Sequence, residues 1–286
     1  DRWLPRVAII TWQGKIVASE LRAAMEFDRN KNFTHRAVSR PASRSDVHLT
    51  AGNGARAKNR RCFFSLRYKR PVAAKGATMQ RIPEPELMSD YKQAQAYAAA
   101  DFAEPHEQFV VKLREKFPNL PRNGRALDLG CGPGDVTRRF ARAFPAWTID
   151  AVDGSAAMLD IGRQTTIDEG LDARIHFHEL VLPADSLPQG DYDFILSNSL
   201  LHHLRDPLVL WSAIGQCSRP GIGIFVMDLM RPANRLAASA LVEQYAADEP
   251  HVLRTDFFNS LLAAYTPTEV QRQLAVIGLH ELQMEV

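Results

Sequence analysis

From about residue 89 the apolar positions follow two periods in turn, one helical and one strand-like. Residues 89–102 are Ala-rich and helical in character, and Glu104-Pro105 opens a second helix with Pro at its first position. Phe109, Val110, Leu113 and Phe117 recur on one face of that helix, which must therefore pack on something, and Pro118-Asn119-Leu120-Pro121 ends it. Strand-like runs follow at 126–129, 148–152, 174–178, 193–197 and 222–228, separated by helix-length segments. The first of those segments carries Val136, Phe140, Ala141 and Phe144 as an apolar stripe, stopped by Pro145.

Strands alternating with helices predict parallel βαβ units. The run 222–227 is apolar almost throughout, as in a strand covered on both faces. The expected fold is α/β, a doubly wound, mainly parallel sheet that binds ligands at the carboxyl ends of its strands. Beyond 228, helical sequence covers 231–247 and the region around 256–264. Thr266-Pro267-Thr268-Glu269 then forms a capping box with Pro at N1, opening a helix to about residue 277. Residues 279–286 begin one more strand-like run.

The first 78 residues break this pattern, with short apolar bursts only at 7–10 and 62–66. They hold 17 Lys and Arg against 5 Asp and Glu, a formal +12, whereas residues 79–286 hold 18 against 28, a formal −10. Such a composition rarely builds a core. The chain opens on Asp1, and Met79 leads straight into the patterned helices, so 1–78 is expected to be a basic, disordered or non-native extension and 79–286 the folded domain. A transit peptide or a nucleic-acid arm competes with this reading. No amphipathic Arg helix is evident at the extreme N-terminus, and aromatic residues are not interleaved with the basic ones.

Composition narrows the function classes. With 286 residues, 45% of them hydrophobic, the chain can bury one sizeable core or two small ones. No apolar run reaches the roughly 18 residues of a membrane span. Three scattered cysteines, Cys62, Cys131 and Cys217, read as free thiols and point to a cytoplasmic protein. The acidic body argues against a nucleic-acid substrate, which needs a cationic footprint. Oligomeric state is not encoded in any of this.

The chemistry concentrates where the strand at 126–129 runs into Gly130-Cys131-Gly132-Pro133-Gly134-Asp135, with Asp153 closing the next strand. Glycines here let the backbone turn sharply and approach a ligand, and a carboxylate at the next strand end can hold a ribose diol. In the dinucleotide fingerprint a third glycine comes one residue later. Asp135 stands there instead, and its charge would repel a pyrophosphate. A nucleoside without phosphates is the better ligand. An NAD(P)-dependent oxidoreductase is the rival enzyme, and a cofactor-binding protein without turnover the rival outside catalysis.

Leu127-Asp128-Leu129-Gly130-Cys131-Gly132-Pro133-Gly134 with Asp153 resembles the first two motifs of class I S-adenosylmethionine-dependent methyltransferases, and 193–204, Asp193 through Asn198-Ser199 to His202-His203-Leu204, resembles their fourth-strand motif. The resemblance covers about residues 85–286. It implies S-adenosyl-L-methionine as cofactor and a Rossmann-like sheet closed by an antiparallel hairpin, whose last strand is missing here, as after a C-terminal truncation. It places Asp128, Gly130, Cys131, Gly132, Gly134, Asp153, Gly154, Met158, Asn198 and Ser199 at the cofactor, with Asp153 on the ribose and Asp128 near the methionine ammonium. Glu179 is a weak substitute for the family's acidic residue at the adenine.

No Asn-Pro-Pro-Tyr or Asp-Pro-Pro-Tyr stretch occurs, which disfavours base or glutamine amides as acceptors and leaves a small molecule. His203 is the candidate general base, whereas His202 is expected to anchor its loop. The helices at about 87–117 and 231–265 resemble the family's lid, making Tyr97, Arg231 and Tyr245 candidate substrate contacts. An ion pair between Arg231 and Asp228 is the simpler expectation for that arginine.

Overall fold

In a computed structural model of the protein, the described residues are 7–12, 79–84, 91–100, 102–184, 186–188 and 191–286. The chain divides into two units, 1–20 with 78–286, and 21–77, of which the second lies outside the described residues.

The described strands are β1 (Val7–Trp12), β2 (Asn123–Leu129), β3 (Ala146–Asp153), β4 (Ile175–Glu179), β5 (Phe194–Asn198), β6 (Gly223–Leu229) and β7 (Gln283–Glu285). Five of them, β2 to β6, form where sequence periodicity places them, to within a few residues. The strands pair in the order β4-β3-β2-β5-β6-β1-β7, every neighbour parallel. The described helices are α1 (Tyr91–Ala99), α2 (Ala103–Lys116), α3 (Asp135–Ala143), α4 (Ala156–Asp168), α5 (Leu208–Cys217), α6 (Arg235–Tyr245), α7 (His251–Ala263) and α8 (Pro267–Ile277).

Two apolar layers sandwich the sheet. Phe109, Val110 and Leu113 of α2 and Phe140 of α3 pack on one face, where Phe109 meets Phe225 edge-on at 4.8 Å and Phe117 meets Phe194 at 4.9 Å. Trp211 and Ile214 of α5 and Val270 and Leu274 of α8 cover the other. This two-sided burial explains why β6 reads as unbroken apolar sequence. The Thr266–Glu269 capping box is present at the start of α8. In α2, Pro105 sits at the third helical position rather than the first, where its missing N–H is still among the unpaired groups of the first turn.

Two expectations change. Val7–Trp12, read as part of the extension, pair with β6 from Val7↔Ile224 to Trp12↔Leu229 and with β7 on their other side. The edge beyond β6 is therefore filled by a parallel strand from the start of the chain, and the run 279–286 contributes only Gln283–Glu285. The other residues of 1–78, including 62–66, lie outside the described residues, as does 87–90 of the first helical region.

Strand order reverses between β2 and β5: β3 and β4 lie to one side of β2, β5 and β6 to the other. A crevice opens at the carboxyl ends of strands at such a switch point.

Candidate functional site

A pocket occupies that crevice. Its walls are the β2–α3 loop, the ends of β3 and β5, the segment after β4 and a face of α1 and α2. The sequence-predicted residues Tyr97, Asp128, Gly130, Cys131, Gly132, Asp153, Gly154, Met158, Asn198, Ser199 and His203 all line it.

Backbone geometry explains the glycine loop. Gly130 has φ +76, and a Cβ there would stand 2.8 Å from three side-chain atoms of Leu200, so neither its conformation nor its surroundings admit a side chain. Gly132 has φ +52 with nothing within 4 Å of a built Cβ: its open side faces the pocket, leaving room for a ligand against the backbone. Gly134 caps α3 rather than lining the pocket. At the end of β5, Ser199 takes φ +56, rare for a residue with a side chain, and its N–H donates to Met227 O at 2.9 Å.

Asp153 braces this loop from the neighbouring strand. Its Oδ2 accepts the Gly132 N–H at 2.8 Å and its Oδ1 the Ser155 N–H at 2.8 Å. Burial raises its carboxyl above the usual range against the pull of the Ser155, Gly132 and Gly154 amides. Asp128 is deeper, accepting from Thr137 Oγ1 at 2.6 Å, and burial pushes its carboxyl up to about 7 despite that bond, with nearby Asp153 adding to the rise. Burial likewise raises the Cys131 thiol, keeping it neutral, and pushes the Tyr97 phenol up to about 12.

Asp135 behaves oppositely. Burial alone would raise it, but hydrogen bonds from His106 Nδ1 at 2.7 Å and Arg139 Nε at 2.9 Å hold it well below the usual carboxylate range. The pocket therefore keeps a fixed negative charge at the helix end that a phosphate would need.

The Asp128 shift carries a sign. The folded chain keeps that proton to about pH 7, whereas an unfolded aspartate releases it near pH 3.9, so folding binds an extra proton between the two values. Stability should fall as pH rises from about 4 to about 7, by up to about 4 kcal/mol, and level off above. Urea unfolding of the ligand-free chain at pH 5 and pH 8 checks this, with Asp128→Asn expected to remove most of the difference. An equal difference in both proteins would refute it.

Besides Gly134, three candidates are corrected. Arg231 is buried and spent: Nη1 donates to Ala264 O at 3.0 Å and Nη2 pairs with Glu269 Oε1 at 2.6 Å. Its carboxylate partner is thus Glu269, because Asp228 is taken by the Leu201 N–H and His202 Nδ1, each at 2.7 Å. Tyr245 is absent from the pocket lining, and its hydroxyl accepts from Gln244 Nε2 at 2.9 Å. No described residue of 231–265 lines the pocket; α6 and α7 bury Ala238, Val242, Leu261 and Leu262 against one another and Met79 in a small core of their own. Glu179 also stays outside the lining, replaced there by Leu180, Val181 and Leu182, an apolar wall well suited to a flat base.

His202 is buried and bonds the Asp228 carboxylate through its side chain rather than anchoring the loop through backbone groups, while His203 lines the pocket with Nδ1 3.2 Å from Glu84 Oε1. Glu84 and His106 had no legible signal; each lies far along the chain from the residue it meets.

Comparison with known proteins agrees with this geometry. A family described as "Methyltransferase domain" matches residues 127–223. Trans-aconitate 2-methyltransferase of Mycobacterium tuberculosis is 38% identical over 96 residues, 32% of this chain and 33% of that protein. The chain thus spans about a third of the length of that curated relative. Among solved structures, a Methanococcus maripaludis protein classed as an S-adenosyl-L-methionine-dependent methyltransferase superposes with TM-score 0.51 at 18% identity, covering 69% of this chain and 87% of that one. The plantazolicin methyltransferase BpumL in complex with SAH (S-adenosylhomocysteine) superposes with TM-score 0.50 at 18% identity, covering 66% and 70%.

Proposed function

We propose, from the premise that the chain carries a class I S-adenosylmethionine-dependent methyltransferase domain, that this domain methylates a small-molecule acceptor held beside His203. The observation that carries the reading is the conjunction at one switch point of an open-faced Gly132, a half-buried Asp153 carboxyl bonded to the loop amides and an ion-paired Asp135. A nucleoside sulfonium fits that set and a pyrophosphate does not, which weighs against a nicotinamide cofactor.

The residues present fit S-adenosyl-L-methionine. Asp153, already fixed by two backbone amides, would meet the ribose hydroxyls, and Asp128 the methionine ammonium. Met158 with Leu180 and Val181 would flank the adenine, and Asn198 and Ser199 the methionine half. The cofactor supplies an activated methyl group for in-line displacement. The protein's work is then alignment and proton removal. His203 takes the proton of a hydroxyl or amine acceptor, and Tyr97, a neutral phenol, offers a hydrogen-bond donor from α1.

The titratable lining residues described include Asp128, Asp135 and Asp153 with His106 and His203, and no Lys or Arg stands among the described lining residues. An acceptor rich in carboxylates, as the name of the M. tuberculosis relative indicates for that protein, would lack a counter-charge on these walls. A neutral or cationic hydroxyl or amine compound suits them better. The test is methyl transfer from methyl-labelled S-adenosylmethionine into a metabolite extract, with H203Q alongside. Labelled product from the unsubstituted chain, lost in H203Q, is expected; no product from any extract that supports the same assay with a control methyltransferase would overturn the reading.

A further inference from the structure

Resting on the methyltransferase reading of this pocket, we propose that His106, held by Asp135, is a specificity-determining residue whose Nε2 accepts a hydrogen bond from the methyl acceptor. The acceptor then carries a second polar hydrogen besides the group that is methylated, as a diol, a polyphenol or an amino alcohol does. His106 lies on α2 and lines the pocket, its side chain 12% exposed.

The pairing fixes the chemistry of the ring. His106 Nδ1 and Asp135 Oδ2 are hydrogen-bonded at 2.7 Å. Arg139 Nε donates to the same oxygen at 2.9 Å and Arg138 Nη2 stands 3.7 Å from the other, so Asp135 is ionised and can only accept. The proton in the bond is then on Nδ1, and the neutral ring carries its lone pair on Nε2. Among the described residues the ring has no polar partner besides Asp135, which leaves Nε2 for a ligand.

Holding α2 against α3 does not require this bond. Arg139 Nη1 donates to Glu107 Oε2 at 2.8 Å, Arg114 Nη2 donates to Ala143 O at 2.9 Å, and Phe109 and Phe140 belong to one apolar cluster. Nor does Asp135 need an imidazole for its charge, with two guanidiniums beside it in the first turn of α3. Packing holds the ring as well: Phe102 lies against it with centroids 5.4 Å apart, and Tyr97, another lining residue, lies against Phe102 at 4.8 Å. An imidazole fixed by a bond and by neighbouring rings is preorganised for recognition.

In the proposed complex Asp153 receives the ribose hydroxyls, Asp128 the methionine ammonium and His203 the proton of the reacting group. His106 then has no partner from the cofactor, and a polar pocket atom that a bound ligand covers without pairing costs affinity. A second hydroxyl or amine on the acceptor satisfies it. A carboxylate does not, because it has no hydrogen to offer the Nε2 lone pair.

Nitrogen-15 spectra of the histidine rings test the first half of the proposal. In the chain saturated with S-adenosylhomocysteine at pH 8, with H106F identifying the signals, His106 should show a protonated Nδ1 and a bare Nε2. A proton on Nε2, in the neutral or the doubly protonated ring, overturns the proposal and needs no variant to fold. The labelled product of the metabolite-extract assay tests the second half: it should carry a hydroxyl or amine hydrogen away from the methylated atom, counted by mass spectrometry after exchange into D2O. With that acceptor, H106F should raise KM about tenfold and change kcat less than about threefold. A product without such a hydrogen, or a lower kcat at unchanged KM, overturns the assignment while leaving the methyltransferase reading in place. No product from any extract, with Nε2 bare, removes both.

Discussion

Asp153→Ala is expected to weaken S-adenosylhomocysteine binding by at least about 100-fold, or about 3 kcal/mol, while leaving the fold intact. The carboxylate acts twice. It fixes the glycine loop through the Gly132 and Ser155 amides, and in the proposed complex it accepts from the ribose hydroxyls. Charge-assisted hydrogen bonds of this kind contribute about 1.5–3 kcal/mol each, so losing the ribose contact and loosening the loop together reach the stated loss. Asp153→Asn keeps the shape and one acceptor oxygen and should fall between the two. Calorimetric titration of the three proteins checks the order; a loss under tenfold for the alanine variant, with an unchanged melting curve, would remove Asp153 from the cofactor.

The largest effect on stability is expected at Asp228, which does not line the pocket. It is 5% exposed and accepts the Leu201 N–H, His202 Nδ1 and its neighbour's Leu229 N–H, each at 2.7 Å. Asp228→Leu leaves a buried imidazole and a buried amide without partners, a loss of about 3–5 kcal/mol. For a folded unit of this size that lowers the melting temperature by about 10 °C. The penalty also depends on pH. Burial lowers the tendency of His202 to hold a proton, but Asp228 outweighs it and the net shift is upward. A histidine raised in the folded state contributes stability that is full below its unfolded value near 6.5 and is lost as pH rises through the folded value. Thermal melts of both proteins should differ more at pH 6 than at pH 9. A gap that widens toward pH 9 would contradict the pairing.

The parts of the fold legible in the sequence are those fixed by local rules. Two-sided burial makes β6 an unbroken apolar run, the capping box marks the start of α8, and the glycine loop followed by Asp153 locates the pocket, because each depends on neighbours in the chain. Long-range pairings were not legible. Val7–Trp12 read as a stray apolar burst because nothing local says that β6 lies beside it more than 200 positions away. Arg231 looked available because its partner Glu269 is 38 residues distant and Asp228 stood nearer in sequence. The approach of Glu84 to His203 is invisible in the sequence for the same reason, with 119 positions between them. Tyr245 was drawn toward the substrate by analogy with a lid, whereas α6 and α7 have enough apolar surface to pack on each other.

The central claim is that the pocket at the β2/β5 switch point takes a nucleoside sulfonium and not a dinucleotide. Parallel calorimetric titrations of the purified chain with S-adenosylhomocysteine, S-adenosylmethionine and NAD+ test it most directly. Saturable one-to-one binding of the first two, abolished by Asp153→Ala, with no heat from NAD+, is the predicted result; binding of NAD+ with none of S-adenosylhomocysteine to the folded protein would contradict it.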